Sequence, residues 1–284
     1  MNLGVMDGWL ATAKPLTLTI GLLAAMALAA VVGFILRTRL LAGQEDDQAE
    51  GQEGYIVSAV LGLLALLMGF TFSLAVDRFE SRRQLVLEES NAIGTAYLRA
   101  QLLNDPHRNR ISAILVRYAD NRLALANAGP GHTDALLAID SQLDTDLWAA
   151  TNAAFDDVKG LDYSSTFVEA INSVIDLGAA RKAARNAHVP TEVFGVLLIY
   201  IVVTSGVLGY VLTGPRGRTA AGVMLVLLAV SLLLIIDIDR PTMGGIRESQ
   251  GPMEDLVQSL KDQPPPVFDR YRTSGPRTAA FMTK

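Results

Sequence analysis

From Tyr55 to Asn104 the sequence reads as a single helix that crosses a membrane and continues beyond it, and no other stretch limits the fold as strongly. Tyr55 to Val76 contains no charged residue, and at 1.5 Å per residue such a run is about enough to cross a ~30 Å hydrocarbon core. At Asp77 the composition changes to the charged, amphipathic run DRFESRRQLVLEESNAIGTAYLRAQLL, yet no proline intervenes until Pro106. Nothing therefore stops the helix at the membrane surface. A helix of that length measures roughly 75 Å, with more than half of it in water.

The apolar residues, half of the 284, gather in four uncharged blocks: Leu16 to Leu36, Tyr55 to Val76, Val193 to Leu212 and Thr219 to Ile236. Each is near the length of a span, and backbone in lipid must satisfy its own hydrogen bonds, which makes the blocks helices. Ala27-Leu28-Ala29 has cleavage-like spacing, but the first block runs on through Leu36 to Arg37 and Arg39, which is the pattern of a retained anchor rather than a signal peptide. The fold class expected is all-α, with four transmembrane helices and a helical cytoplasmic domain between the second and third. The divisions fall at 1–76 (N-terminal segment and two spans), 77–192 (helical domain continuous with the second), 193–236 (two spans) and 237–284 (a partly disordered tail).

With four spans, both termini and the middle domain share one side of the membrane. That side carries Lys14, Arg78, Arg82, Arg83, Arg181, Lys182, Arg185, Arg240 and Arg247 near the span ends, against Arg37, Arg39, Arg216 and Arg218 on the other. The asymmetry places the middle domain and the termini in the cytoplasm, although the first span taken alone, with Lys14 before it and two arginines after it, points the other way. The acidic residues Glu45, Asp46, Asp47, Glu50 and Glu53 make the first loop a solvated connector.

Residues 77–192 are helical in pattern throughout. After Asp105-Pro106, Ile111, Ile114, Leu115 and Tyr118 mark a helix that ends near Gly129-Pro130-Gly131. Thr133 caps the next, with Leu136, Leu137, Ile139, Leu143 and Leu147 as its buried positions. A further helix runs from about Ser164 to Ala187 through Phe167, Ile171, Val174 and Ile175. In the tail only Met253, Leu256, Val257 and Leu260 offer an apolar face, enough for one docked turn or two, with disorder expected from about Gln263.

Several function classes fall away. The net charge of −5 argues against nucleic acid. With no cysteine there is no thiol chemistry, and the isolated His107, His132 and His188 lack metal-ligand spacing. Phosphate loop, serine elbow, metal helix and dinucleotide fingerprint are all missing, so neither enzyme activity nor a cofactor is expected.

Three features go beyond an anchor. Small residues recur at Ala25, Ala29 and Gly33 in the first span and at Ser205 and Gly209 in the third, which allows close helix approach within the chain or between subunits. Asp77, Asp237 and Asp239 close spans on one side; repeated around an axis they form an acidic ring at a pore mouth, and read alone they mark where hydrocarbon ends. Beyond the membrane, Phe79, Leu85, Val86, Ile93, Ala96, Tyr97 and Leu103 share one helix face and Gln84, Glu88, Asn91, Thr95 and Arg99 the other. Arg82 and Glu89 fall inside the apolar arc, where they require partners: symmetry mates, or tail charges such as Arg247 and Glu254.

The runs FESRRQLVLEESNAIGTAYL (Phe79 to Leu98) and DIDRPTMGGIRESQGPMEDL (Asp237 to Leu256) resemble the bestrophin-like family of bacterial integral membrane proteins, a family of unassigned function named for distant similarity to bestrophin channels. The resemblance implies the cell inner membrane. It makes Arg82, Arg83, Glu89, Asn91, Gly94, Thr95, Asp239, Arg240, Pro241, Gly244 and Gly245 a candidate motif core. Bestrophins are pentameric anion channels lined by their second spans, and some bacterial relatives conduct cations. By that analogy Leu67, Phe70 and Phe72, in the run LLALLMGFTF, are a candidate hydrophobic constriction. The leading expectation is a homo-oligomeric ion channel around the second span, in contact with lipid and inorganic ions. The alternative is a non-conducting scaffold or signalling protein that binds a partner through the helical domain, at the apolar faces around Ile111 or Leu143.

Overall fold

The structure is a computed structural model that describes residues 15–40, 47–129, 131–212, 214–241 and 245–271. Lys14, Glu45 and Asp46, Pro130, Gly244 and the tail beyond 271 lie outside the described residues. In chain order the helices are α1 (Pro15–Leu40), α2 (Asp47–Ala100), α3 (His107–Asn127), α4 (Thr133–Val158), α5 (Ser164–Asn186), α6 (Thr191–Val211), α7 (Gly214–Asp239) and α8 (Gly251–Asp262), followed by a 3-10 turn at Pro265–Asp269. No strand occurs among the described residues.

α2 is one continuous helix of 54 residues. Gly94 lies inside it without interrupting it, and the helix closes where Gln101, Leu102 and Leu103 bond back three residues. The turn into α3 contains a cis Asp105-Pro106 peptide.

The chain divides into two compact units. The first comprises Met1–Arg82 and Ala183–Glu248, the second Arg83–Lys182 and Ser249–Lys284.

Among the described residues four helix runs are long and apolar enough to cross a membrane, and they carry α1, α2, α6 and α7. In the first unit these helices enclose Leu22, Met26, Leu64, Met68, Ala75, Leu197, Ile201, Ala229, Leu232 and Ile235. Large apolar side chains such as Leu28, Ile199, Leu227 and Val230 face outward, as they do when the solvent is hydrocarbon. α1 and α6 approach closely and in parallel: Ala29 lies against Gly206, Gly33 against Gly206 and Tyr210, and Arg37 donates to the Tyr210 carbonyl at 3.1 Å. Parallel packing is what the first and third of four spans must adopt if they are neighbours. A Cβ added to Gly33 would overlap the Gly206 carbonyl oxygen, and one added to Gly209 would overlap that of Ala30. Hydrogen at both positions is what lets the backbones meet, which puts the small-residue stripe of α1 to use within the chain.

The second unit is a helical bundle whose core holds Val86, Ile93, Ala96, Tyr97, Ile111, Leu115, Tyr118, Leu143, Leu147, Phe167, Ile171 and Val174. Ile111 and Leu143 are therefore core residues, 0% and 1% exposed, and neither forms a docking face. Two local expectations also shift. Ile139 is 45% exposed while Asp140 is fully buried, because the stripe from Leu136 to Leu143 and Leu147 passes through position 140 at helical spacing. The residue before α4 is His132, with no side-chain cap, so Thr133 is the first helical residue. The described part of the tail packs on this unit. α8 has twelve residues and buries Met253, Val257 and Leu260, Phe268 meets Tyr97 edge-on at 6.2 Å, and Asp269 takes a bidentate pair from Arg108 at 2.7 and 2.8 Å.

Because overpacking costs about 1–3 kcal/mol, G33A and G209A should each lower the thermal midpoint of the detergent-solubilised chain. G62A, at a glycine with nothing within 4 Å of its added Cβ, should leave it unchanged.

Candidate functional sites on the second helix

In the first unit, α2 reaches the polar end of its apolar stretch at Asp77, which is exposed. One turn on, Arg82 is 6% exposed; its Nη2 donates to the Ile238 carbonyl at 2.8 Å and its Nε pairs with Glu248. A cation here faces the last turn of α7, where helix carbonyls lack intrahelical partners, so the contact is electrostatically favourable as well as hydrogen-bonded. The two aspartates of α7 bind backbone. Asp239, 5% exposed, accepts from the Val189 N–H at 3.0 and 3.2 Å, just ahead of α6. Asp237 accepts from the N–H groups of Gly245 and Ile246 at 2.8 and 3.1 Å and so closes the turn that follows α7. Arg240 is buried and Pro241 half-buried beside them. Leu67 packs on the core of this unit, while Phe70 and Phe72 are 66% and 41% exposed.

The membrane stretch of α2 is exposed on more than one side, with the bulky Ile56, Leu63, Leu66, Phe70 and Leu74 on one stripe and small residues on the next. Ser58, Gly62, Ala65, Gly69 and Ser73 are all exposed, and at 100° per residue they fall within an arc of about 80°. Further along the same helix, in the second unit, Gln84, Glu88, Asn91 and Thr95 are exposed too, with Gln84 donating to Glu88 at 3.0 Å. Arg83 is exposed, and a Cβ added to Gly94 would lie 3.4 Å from Leu256 Cδ1, an ordinary contact.

Glu89 is the centre of the second unit's charge network. Its carboxylate is fully buried and is held by three side chains: Arg122 Nε at 2.8 Å, Arg181 Nη1, and the Tyr118 hydroxyl, which donates at 3.2 Å. Arg181 also donates to Gln250 Oε1 at 3.2 Å. Arg122 continues to Asp140 at 3.4 Å, and Lys182 bridges Asp140 and Asp144. Three anions thus meet three cations, Glu89 and Asp140 fully buried and Lys182 and Asp144 at the partly exposed edge, and pairing of this kind is the condition under which buried ions are tolerated.

Burial, and then the neighbouring Glu89 carboxylate, push the Tyr118 phenol far above its ordinary range, so it stays a donor. Burial opposes the charge on Arg122, but Glu89, Tyr118 and Asp140 outweigh it and the net shift is upward. Asp144 is raised by burial and by Asp140, against the pull of Lys182. Gly178 completes the site, since a Cβ there would overlap the Tyr118 hydroxyl.

Both charges embedded in the apolar arc of α2 therefore find partners inside the chain, although Arg82 Nη1 is buried without one. Arg82 uses Glu248, the neighbour of Arg247, and Glu89 uses α3 and α5. The sequence reading missed Arg122, Asp140 and Arg181 as partners. Their signal was register: Arg122 lies one turn past Tyr118 on the buried stripe of α3, and Asp140 lies on that of α4.

A family model described as a bestrophin-like domain matches residues 24–253, which takes in all of the membrane stretch of α2 and both sets of contacts. No curated protein and no solved structure matches the chain.

Removing one member of a buried ion pair costs about 3–5 kcal/mol. E89Q should lower unfolding free energy on that scale, whereas Y118F, which leaves both arginines on Glu89, should cost only about 1 kcal/mol; chemical denaturation of the two variants checks the ratio. For Asp144, a raised folded-state pKa means its contribution is fully present below the ordinary carboxylate range and is lost as pH rises. D144N should therefore raise the thermal midpoint at neutral pH, with the gain shrinking as pH falls toward the carboxylate range.

Proposed function

The chain belongs to the bestrophin-like family, an integral membrane protein by its four apolar helices, and we propose that it is a non-enzymatic, homo-oligomeric ion channel with its pore formed around α2. The observation that carries this reading is the uncovered face of Ser58, Gly62, Ala65, Gly69 and Ser73. Facing lipid, a helix ordinarily presents bulky aliphatic side chains, since hydroxyls and bare backbone gain nothing from hydrocarbon. Facing a water-filled path or a neighbouring copy, small and hydroxylic residues are favourable. Phe70 and Phe72 flank this face and would supply the hydrophobic constriction. Asp77 stands at the mouth about 40° beyond the edge of that face. Asp237 and Asp239, which hold backbone N–H groups, shape that mouth structurally. In this reading the protein lies in the cell inner membrane, with the helical unit and both termini in the cytoplasm.

A second reading, a non-conducting scaffold, is favoured by one feature: α4 exposes Trp148 and Phe155, 45% and 40% accessible, two turns apart on one face. Partner capture lost in a W148A/F155A variant would support it.

Purified chain in proteoliposomes, with oligomer mass measured on the same sample, separates the readings. The channel requires a symmetric oligomer and flux under potassium or chloride gradients. G69L should reduce that flux to background at unchanged mass, and D77N should shift the reversal potential. A monomer without flux across pH, voltage and tension would remove the channel.

A further inference from the structure

In the second unit α4 is acidic from end to end. It carries Asp134, Asp140, Asp144, Asp146, Asp156 and Asp157 and neither lysine nor arginine. Side chains from elsewhere meet part of that charge: Arg122 and Lys182 pair with Asp140, Lys182 bridges to Asp144, Lys159 lies 3.1 Å from Asp156, and His107 lies 3.2 Å from Asp157. These partners do not balance it. Arg122 is shared with Glu89 and Lys182 between two aspartates, the Lys159 pair is exposed on both sides and so exchanges readily for another cation, and Asp146 takes a neutral donor, Gln142, at 2.8 Å.

Trp148 and Phe155, exposed on the same helix, stand seven residues apart and so about 10 Å along one face. Asp144 lies one turn before Trp148, and Asp156 directly follows Phe155. Aromatic surface bordered by carboxylates suits a segment that is both apolar and cationic, since each ring face attracts a cation as well as hydrocarbon.

The chain has such a segment, and it departs from beside the C-terminal end of α4. Asp269 is held by Arg108 at 2.7 and 2.8 Å, and the residue before Arg108 is His107, which reaches Asp157. Tyr271, the last described residue, is exposed. The sequence that follows, RTSGPRTAAFMTK at 272–284, contains Arg272, Arg277 and Lys284, no acidic residue, and the apolar pair Phe281-Met282. Ten residues lead from Tyr271 to Phe281, a reach of up to about 33 Å, whereas Asp157 and Trp148 are separated by about 14 Å of helix.

We propose that residues 272–284 dock within the same chain on the face of α4 that bears Trp148 and Phe155, the apolar pair covering the rings and the basic residues lying against the aspartates beside them. Burial of the rings drives the contact, and the one-sided charge of α4 selects a basic segment over an acidic one. The docked segment covers the surface that the scaffold reading gives to a partner, so its release is what opens that surface. The contact does not depend on conduction and stands or falls separately from the channel reading.

The chain has two tryptophans, Trp9 and Trp148, so in a W9F background of the full chain in neutral detergent the emission and acrylamide quenching of Trp148 report its cover. Ending the chain after Tyr271 should shift the emission to longer wavelength and raise the quenching constant. A peptide of residues 272–284 added to the shortened chain should reverse both changes, and the reversal should weaken at high salt. The full-length variant R272E/R277E should reproduce the shortened chain, and it decides the matter should the shortened chain fail to fold. Unchanged emission and quenching in R272E/R277E would overturn the docking. So would protection of Trp148 that is lost on dilution of the intact chain, which would mean that a second copy covers the face.

Discussion

The buried carboxylate of Glu89 is the constraint on which the second unit is built. It sits on the apolar face of α2, where an ion without partners would be prohibitive, and three side chains from α3 and α5 converge on it. Arg181 passes the contact on to Gln250 just ahead of α8, so one carboxylate sets the azimuth of three helices and the start of a fourth. Hydrophobic packing of Val86, Ile93, Leu115 and Ile171 alone would allow many rotations of these helices, and the charges among them specify one. The same logic operates on a smaller scale in the first unit, where Arg82 and Asp239 tie the last turn of α7 to α2 and to the start of α6.

Much of the architecture was legible because it rests on periodicity and on the absence of charge. Four uncharged blocks became four apolar helices, and the run from Tyr55 onward became one helix because no proline interrupts it. The stripe Ile111, Ile114, Leu115, Tyr118 and that of Phe167, Ile171, Val174 are buried as their spacing implies. What stayed hidden was pairing over long separations. Ile139 was expected in the core and Asp140 drew no reading; position 140 takes the buried place because Arg122 and Lys182 make it favourable for an anion. Tyr118 was readable as apolar but not as a donor. Arg181 and Lys182 resembled the positive flank of a span, although both spend their charge inside the bundle.

The candidate mouth carboxylates show the same limit. Asp77, Asp237 and Asp239 are alike in sequence context, each at the end of an apolar run, yet they differ in what surrounds them. Asp77 is exposed, whereas the other two meet backbone N–H groups of Val189, Gly245 and Ile246, partners that carry no side-chain signature and that no spacing rule could have singled out. Glycine behaved similarly. Gly33 and Gly62 belong to equally apolar stretches, but Gly33 is a contact point between helices while Gly62 opens onto an uncovered face.

The parallel approach of α1 and α6 also carries a consequence in time. Arg37 and Tyr210, which meet at the end of that contact, lie 173 residues apart in the chain. At synthesis rates of about 5–20 residues per second, α1 is in the bilayer for roughly 10–30 s before its tightest neighbour exists. During that interval the Gly206 and Tyr210 backbone that meets Gly33 is still missing, so the first span must be hydrophobic enough to hold its place without it, and the unit closes late, when the third span arrives.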